Sequence, residues 1–464
     1  MSFRRKSNLI SVGVDDRFLL RNDGFNVDDD RDPAPENIPV PGETLNDQQT
    51  WGWGGRCHRK VFGAADDKPK LIQLTDSESK LMTILSLFLC LFPATYLDEV
   101  LLAEINRNLD KEKARRIGLG EFLRFLGLWY YMATFKGVTR AQFWSTKDID
   151  PYSGALIRFH KMMSKQRFDL ILKSLRYTNR LAPAYKDKFH GIRQLIEAWN
   201  DNMIKKFRPS WVSCLDESMS PWTTRWTCPG WTYVPRKPTP MGNEYHSVCC
   251  GVSKIMWQIE LVEGKDAPRE RVPPANAGAG KTVGLLLRML SSMHSRGMLV
   301  ILDSGFCVLQ GLIELRKIGI FASAVIKKRR YWPKHVPGGI MDQHMSTKQV
   351  GEVDSLKGEL DNIPYDLFCM KDADFTMKLM STYGSPIPLR DAKEKRRRVD
   401  GEVKTFKYTE TFENHYRYRH AVDDHNNLRH SDISLEETWV THRWENRAFA
   451  CVLLIWTFST QIPF

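Results

Sequence analysis

Asp216 and Asp303 each close a short apolar run, Trp211-Val-Ser-Cys-Leu-Asp216 and Met298-Leu-Val-Ile-Leu-Asp303. Runs of this length and texture read as buried strands, and a carboxylate at the carboxyl end of a strand stands at a sheet edge, where ligands gather. The two acids converge only if their strands are neighbours. A third carboxylate, carried on a helix packed across that sheet, would complete an oxygen-rich cage. Mg²⁺ takes such donors and leaves positions for water and phosphate oxygens. Two ions about 4 Å apart would serve phosphoryl transfer. On the residues alone, the commoner use of strand-end aspartates is in turns and caps.

The elements that must position these acids follow from periodicity. From about Thr75 to Arg208 apolar residues recur every three or four positions, which predicts helices. Asp76 and Ser77 can cap the first, Glu121–Met132 forms a buried one, and Ser164 caps a helix over Lys165–Arg176. A further helix spans Ile192–Phe207. Beyond Pro209 the texture changes to strands at Trp211–Asp216, Trp231–Val234, Tyr245–Val252 and Ile255–Val262. Helix Thr282–His294, strand Met298–Asp303, helix Val308–Lys317 and strand Phe321–Lys327 then alternate as in an α/β unit. An irregular stretch of about 334–406, with one strand at Phe375–Thr382, reads as an insertion. Helices return at Phe412–Asp423 and Glu436–Thr457.

The chain has 464 residues, 42% hydrophobic, so it can bury a substantial core and is not disordered throughout. Its net charge of +13 favours a polyanionic partner. The first 65 residues run against that balance. Asp28, Asp29, Asp30 and Asp32 precede Pro33, Pro35, Pro39 and Pro41, and the segment is expected to be a disordered acidic arm. The nine cysteines include no C-x-x-C pair, so neither a disulfide framework nor a zinc ribbon is expected. No signal peptide opens the chain, and the run Leu81–Phe92 is too short to span a bilayer.

Several blocks together resemble the piggyBac transposase family: Leu215-Asp-Glu-Ser-Met-Ser-Pro-Trp222, Val234-Pro-Arg-Lys-Pro-Thr-Pro-Met-Gly-Asn243, Met163-Ser-Lys-Gln-Arg-Phe168 with Leu175-Arg176, and Val300-Ile-Leu-Asp-Ser304. The resemblance runs from about Leu71 onward. It implies a mixed α/β fold with an RNase H-like catalytic core over 211–431, interrupted by the insertion. It also implies a helical dimerisation and DNA-binding domain over 71–208, joined by C-terminal helices over 432–464. It further implies excision and insertion of a DNA element at TTAA sites, using three aspartates and Mg²⁺ or Mn²⁺, two ions in number, on double-stranded DNA in the nucleus, by a homodimer. By motif position the acids fall on Asp216, Asp303 and Asp423. Asp423 lies in Ala421-Val-Asp-Asp-His-Asn-Asn427, and Asp424 is the rival for the third place. Where the founding member has another aspartate this chain has Asn426, which keeps an oxygen donor but loses the charge. Many relatives carry a cysteine-rich zinc domain beyond this point. No such cluster stands here, so no zinc is expected and end-specific binding is expected to be weak. The alternative from another class is a domesticated DNA-binding or chromatin protein without catalysis.

Four other signals weigh less. Ala277-Gly-Ala-Gly-Lys-Thr282 lacks the first glycine of a P-loop, having Ala275 there, so no nucleotide cofactor is expected. His415, His420, His425 and His430 recur at a step of five, which drifts around a helix and reads as solvated or phosphate-facing rather than zinc-binding. Lys327-Lys-Arg-Arg330, followed by Tyr331 and Trp332, is the candidate DNA-contacting segment, through Lys327, Lys328, Arg329 and Arg330. Lys393–Arg398 is a candidate nuclear-import cluster or a second DNA contact. Each of the last two is equally readable as a solvated basic loop.

Overall fold

The computed structural model describes residues 68–72, 82–135, 137–146, 158–270, 277–293, 297–327, 338–388, 392–399, 401–431 and 433–461. The acidic arm therefore lies outside the described residues, as do Asp76 and Ser77.

The first part of the chain is helical. Helix α1 (Ile84–Leu91) is capped by Thr83, whose Oγ1 accepts from the Ser86 amide at 3.1 Å. Pro93 ends it, because proline forces the preceding residue out of the helical region. Helix α2 (Ala94–Lys111) then leaves at 77° to α1. Helices α3 (Leu119–Ala133), α4 (Lys165–Ser174) and α5 (His190–Lys206) follow. Ser164 caps α4 as its sequence predicts, accepting from the Arg167 amide at 3.2 Å. Among the described residues no single helix is long and apolar enough to cross a membrane.

A two-stranded pair, β1 (Lys70–Leu71) with β2 (Phe207–Arg208), precedes the main sheet. That sheet has nine strands: β3 (Val212–Pro221), β4 (Trp231–Tyr233), β5 (Met241–Cys250), β6 (Met256–Leu261), β7 (Leu299–Leu302), β8 (Phe321–Val325), β9 (Val353–Leu360), β10 (Ile363–Lys371) and β11 (Thr376–Ser381). Its order is β4-β5-β3-β7-β8-β11-β10-β9, and β6 shares the outer side of β5 with β4. Only β3, β7 and β8 run parallel, so their carboxyl ends point to one edge. Helix α6 (Lys281–Leu290) lies between β6 and β7 in sequence, and α7 (Leu309–Lys317) makes the β7–β8 crossover. The nearly continuous apolar strands β7 and β8, buried at every position, are what a parallel pair covered on both faces requires.

The stretch expected to be irregular is mostly strand. After α8 (Gly338–Ser346), β9, β10 and β11 continue the main sheet beyond β8. The β9–β10 hairpin turns on Asp361–Asn362, both at positive φ (52° and 59°), the two-residue turn that matches strand twist. The cluster Lys393–Arg398 falls largely in β12 (Glu394–Val399), paired with β13 (Glu402–Lys407). Arg397 is buried there, with its Nε 4.0 Å from Asp372 and a hydrogen bond to the Tyr408 hydroxyl, so it is no part of an exposed basic loop.

The expected helix over Phe412–Asp423 is broken. Helix α9 (Glu410–Tyr418) stops, Arg419 and His420 make the turn, and α10 (Ala421–Arg429) starts afresh. A short α11 (Leu435–Thr438) leads to α12 (Trp444–Gln461). Helix α12 packs into the amino-terminal helices. Trp456 stacks on Phe92 at 4.1 Å between centroids, Phe449 meets Tyr177 at 4.8 Å, and Tyr130 shares a hydrogen bond with Thr457. Trp439, beside α11, stacks on Trp129 at 4.3 Å. One apolar core runs from these helices into the sheet.

Candidate active site at the parallel edge

The β3–β7 ladder is in parallel register from Val212↔Leu299 to Leu215↔Leu302. The next residues along the chain are Asp216, still within β3, and Asp303, just past β7, so the two acids come to neighbouring positions at one edge of the sheet. Asp303 follows the last residue of β7 as expected and caps a short turn, its carbonyl accepting from the Phe306 amide at 3.0 Å. Asp216 differs from expectation, because it lies inside β3, which continues to Pro221. The reason is one-sided pairing. From Asp216 onward β3 is bonded only to β5, since β7 has ended. Asp216 therefore stands at the edge of the parallel part of the sheet without standing at the end of its strand.

Asp423 sits in the first turn of α10, which packs on β3. Its Oδ2 lies 3.6 Å from His420 Nδ1. The neighbouring Asp424 turns elsewhere, its Oδ2 3.3 Å from Lys254 Nζ in the β5–β6 turn. The Asn426 Oδ1 is engaged elsewhere, accepting from Arg429 at 3.3 Å. Arg429 is itself wholly buried in an ion pair with Glu436 and donates to the Met219 carbonyl, which fixes α10 against β3.

Electrostatics ties the three acids together. Burial pushes the Asp216 carboxyl well above the usual range. Lys237 opposes this, while the charges of Asp303 and Asp423 add to it. Asp423 is the opposite case. Its burial would raise it, but the hydrogen bond from His420 and the charges of Lys237 and Arg419 hold it below the ordinary carboxylate value. Lys237 is the residue that sequence reasoning passed over. Burial works against its ammonium, and the charges of Asp216, Asp423 and Glu217 more than restore it. Its Nζ donates to the Glu217 carbonyl at 3.2 Å. The signal was available in the block Val234–Asn243, where Pro235, Pro238 and Pro240 stiffen the loop that carries it. Among the described residues no three His, Cys, Asp or Glu side chains stand close enough together, as they are, to hold a metal ion.

Of the candidate DNA-contacting residues, Lys327 lies two positions beyond β8, at the same edge of the sheet as Asp303. Lys328, Arg329 and Arg330 lie outside the described residues. The histidines expected to be solvated are not all so. His415 and His425 are buried, and His425 Nδ1 bonds to the Lys254 carbonyl at 3.0 Å.

An antiparallel flank, three parallel strands with carboxylates at their shared edge, and a helix bringing a further acid make up an RNase H-like fold. The profile of the family described as Transposase IS4 matches residues 85–458, and the chain belongs to that family. Among solved structures it is similar to piggyBac transposase, described as a synaptic complex with hairpin DNA, with a TM-score of 0.60 at 15% identity, covering 85% of this chain and 76% of that one. No curated protein sequence matches it.

Proposed function

We propose that this chain is a piggyBac-like DNA transposase that cleaves phosphodiester bonds and transfers strands at TTAA sites, acting as a dimer on double-stranded DNA in the nucleus. The observation that supports the reading is the β3–β7 register, which brings Asp216 and Asp303 to neighbouring strands, with the charge of Asp423 also felt at Asp216. The donor chemistry fits a hard divalent cation. Three carboxylates supply only oxygen, and desolvation and the neighbouring acids hold the Asp216 carboxyl well above the usual range. Asp216, Asp303 and Asp423 would hold Mg²⁺ or Mn²⁺, two ions in number; Asn426 would have to release Arg429 before joining them. A bound divalent ion supplies charge neutralisation at the phosphate and makes water more acidic. The chain's own contribution is positioning. The sheet fixes Asp216 and Asp303, Arg429 holds α10 in place, and Lys237 offers an ammonium beside the developing negative charge. Lys327 and the basic residues after it would track the backbone.

The test is nicking of a TTAA-containing supercoiled plasmid by wild type and Asp303→Asn, with Mg²⁺ or Mn²⁺. Wild type should nick and the variant should lose at least about a thousandfold of rate while keeping its DNA affinity. Equal nicking by both would reject the triad. DNA binding without any nicking by wild type would instead favour the domesticated, non-catalytic reading.

A further inference from the structure

A cavity of about 700 Å³, bounded by α5, β6 and α6, is lined by Glu217, whose neighbour Asp216 points to the other face of β3. It reaches the catalytic edge through Glu217 and Gly305, close neighbours in sequence of Asp216 and Asp303. Two polar side chains on its wall have no hydrogen-bond partner among the described residues. Gln258 is only 6% exposed, and His246 has its Nδ1 fully buried. The β5–β6 register, Val248↔Gln258 and His246↔Glu260, puts both on the same face of neighbouring strands. Buried amides are ordinarily bonded, so Gln258 presents recognition capacity that the fold does not use.

The second feature is the start of α6, ten residues long. Its first flanking residue, Gly280, has φ 93° and supplies no side-chain cap. The amides of Lys281 and Thr282 meet no acceptor among the described residues, and Gly280, Lys281 and Thr282 line the same cavity. Unsatisfied amides at a helix start attract anions. The carboxylates around the cavity are already paired: Glu260 with Arg288 at 2.8 Å, Glu263 with Arg193 at 2.5 Å, and Glu197 with Arg180 at 2.6 Å. Glu217 lies 3.7 Å from Arg236. Lys281 meets no carboxylate among the described residues. Between these polar ends the wall is flat and apolar, with Phe306 edge-on to His246 and Leu285 and Met289 behind.

We propose that this cavity takes one nucleotide unit, with its phosphate on the start of α6 beside Lys281, its base against Phe306, and the polar edge of the base on Gln258. The volume suits a ligand of that class. It is not a nucleoside-triphosphatase site, because a short helical turn, Ala277–Ala279, stands where a P-loop needs a strand and glycine-rich bend. The nucleotide can come from solution or from a strand of bound DNA, turned out of its stack. The second source rests on the function proposed above.

Two measurements on the full chain decide it. The first titrates dTMP calorimetrically, with inorganic phosphate as control. The second follows 2-aminopurine placed at successive positions of a bound TTAA duplex. Saturable dTMP binding, weakened about tenfold by Gln258→Leu and by Lys281→Glu but untouched by Asp303→Asn, supports the site with a free nucleotide as ligand. A fluorescence rise at one position, kept in Asp303→Asn and lost in both cavity variants at equal DNA occupancy, supports the site with DNA as the source. Neither signal, or signals indifferent to Lys281→Glu at its exposed position, overturns the proposal. Loss of all DNA binding would sink the DNA reading and leave the dTMP titration to decide the cavity.

Discussion

Around Trp129 the molecule is dry and closely stacked, whereas around Asp216 it gathers carboxylates that share the half-buried ammonium of Lys237. In the first region Trp439 covers Trp129, Phe168 meets both Trp129 and Phe125, and the rings exclude water without any charge to satisfy. In the second, burial raises Asp216 while its acidic neighbours raise it further. Ring stacking stabilises the fold directly. The acid edge does the reverse: it keeps like charges together at a cost in stability, as sites built for charge chemistry do.

Mutations can break that contrast. Trp129→Ala should lower unfolding free energy by about 3–5 kcal/mol, read by urea titration, because the cavity it leaves is walled by rings that cannot collapse. Asp303→Asn should leave the urea midpoint nearly where it was while abolishing nicking. If the two substitutions destabilised alike, the acid edge would be structural. The boundary between the regions is sharpened by pH. His425, on α10, is pushed down to about 4, chiefly by burial, although its bond to the Lys254 carbonyl works the other way. A histidine depressed in the folded state contributes stability that is complete above its unfolded pKa of about 6.5 and is lost as pH falls toward 4. At pH 5 the loss should be about 2 kcal/mol relative to pH 7.5, and His425→Gln should flatten this part of the curve. His415, also held low by burial, acts in the same direction. The smallest effect expected is at Lys237. Lys237→Gln removes the cation shared by Asp216 and Asp423 and should destabilise by about 1–2 kcal/mol, with Lys237→Arg recovering most of it. A neutral glutamine that proved harmless would mean that the acids are compensated from elsewhere.

What was legible in the sequence follows the same division. Apolar periodicity located the helices, and Ser164 marked the start of α4 correctly, because caps and core faces are local properties. Asp303 was legible for the same reason, since a run of four buried residues stops at it. The extent of β3 past Asp216 was not. Glu217, Ser218 and Ser220 look like loop residues, yet Ser218 bonds to Ser247 on β5 at 2.7 Å and Ser220 bonds to Glu436, partners remote in sequence. The β9–β10 hairpin was missed for want of weight on Asp361–Asn362, a pair suited to positive φ. The break between α9 and α10 carries no glycine or proline, so nothing local announces it. The block Val234–Asn243 drew attention to Lys237's loop, but its place near Asp216 follows only from the pairing of β4 and β5 with β3.

Helix α12 has a consequence for how the protein is made. Tyr130 and Thr457, which share a hydrogen bond, are 327 positions apart, and Phe92 waits longer still for Trp456. A ribosome adding about 5–20 residues per second leaves the aromatic faces of α1, α3 and α5 without their cover for on the order of 20–60 s. During that interval the nascent chain displays a broad greasy surface that the sheet cannot hide. Synthesis in the cell should therefore lean on chaperones that hold emerging polypeptides, and pausing late in translation should favour aggregation over release of a folded protein.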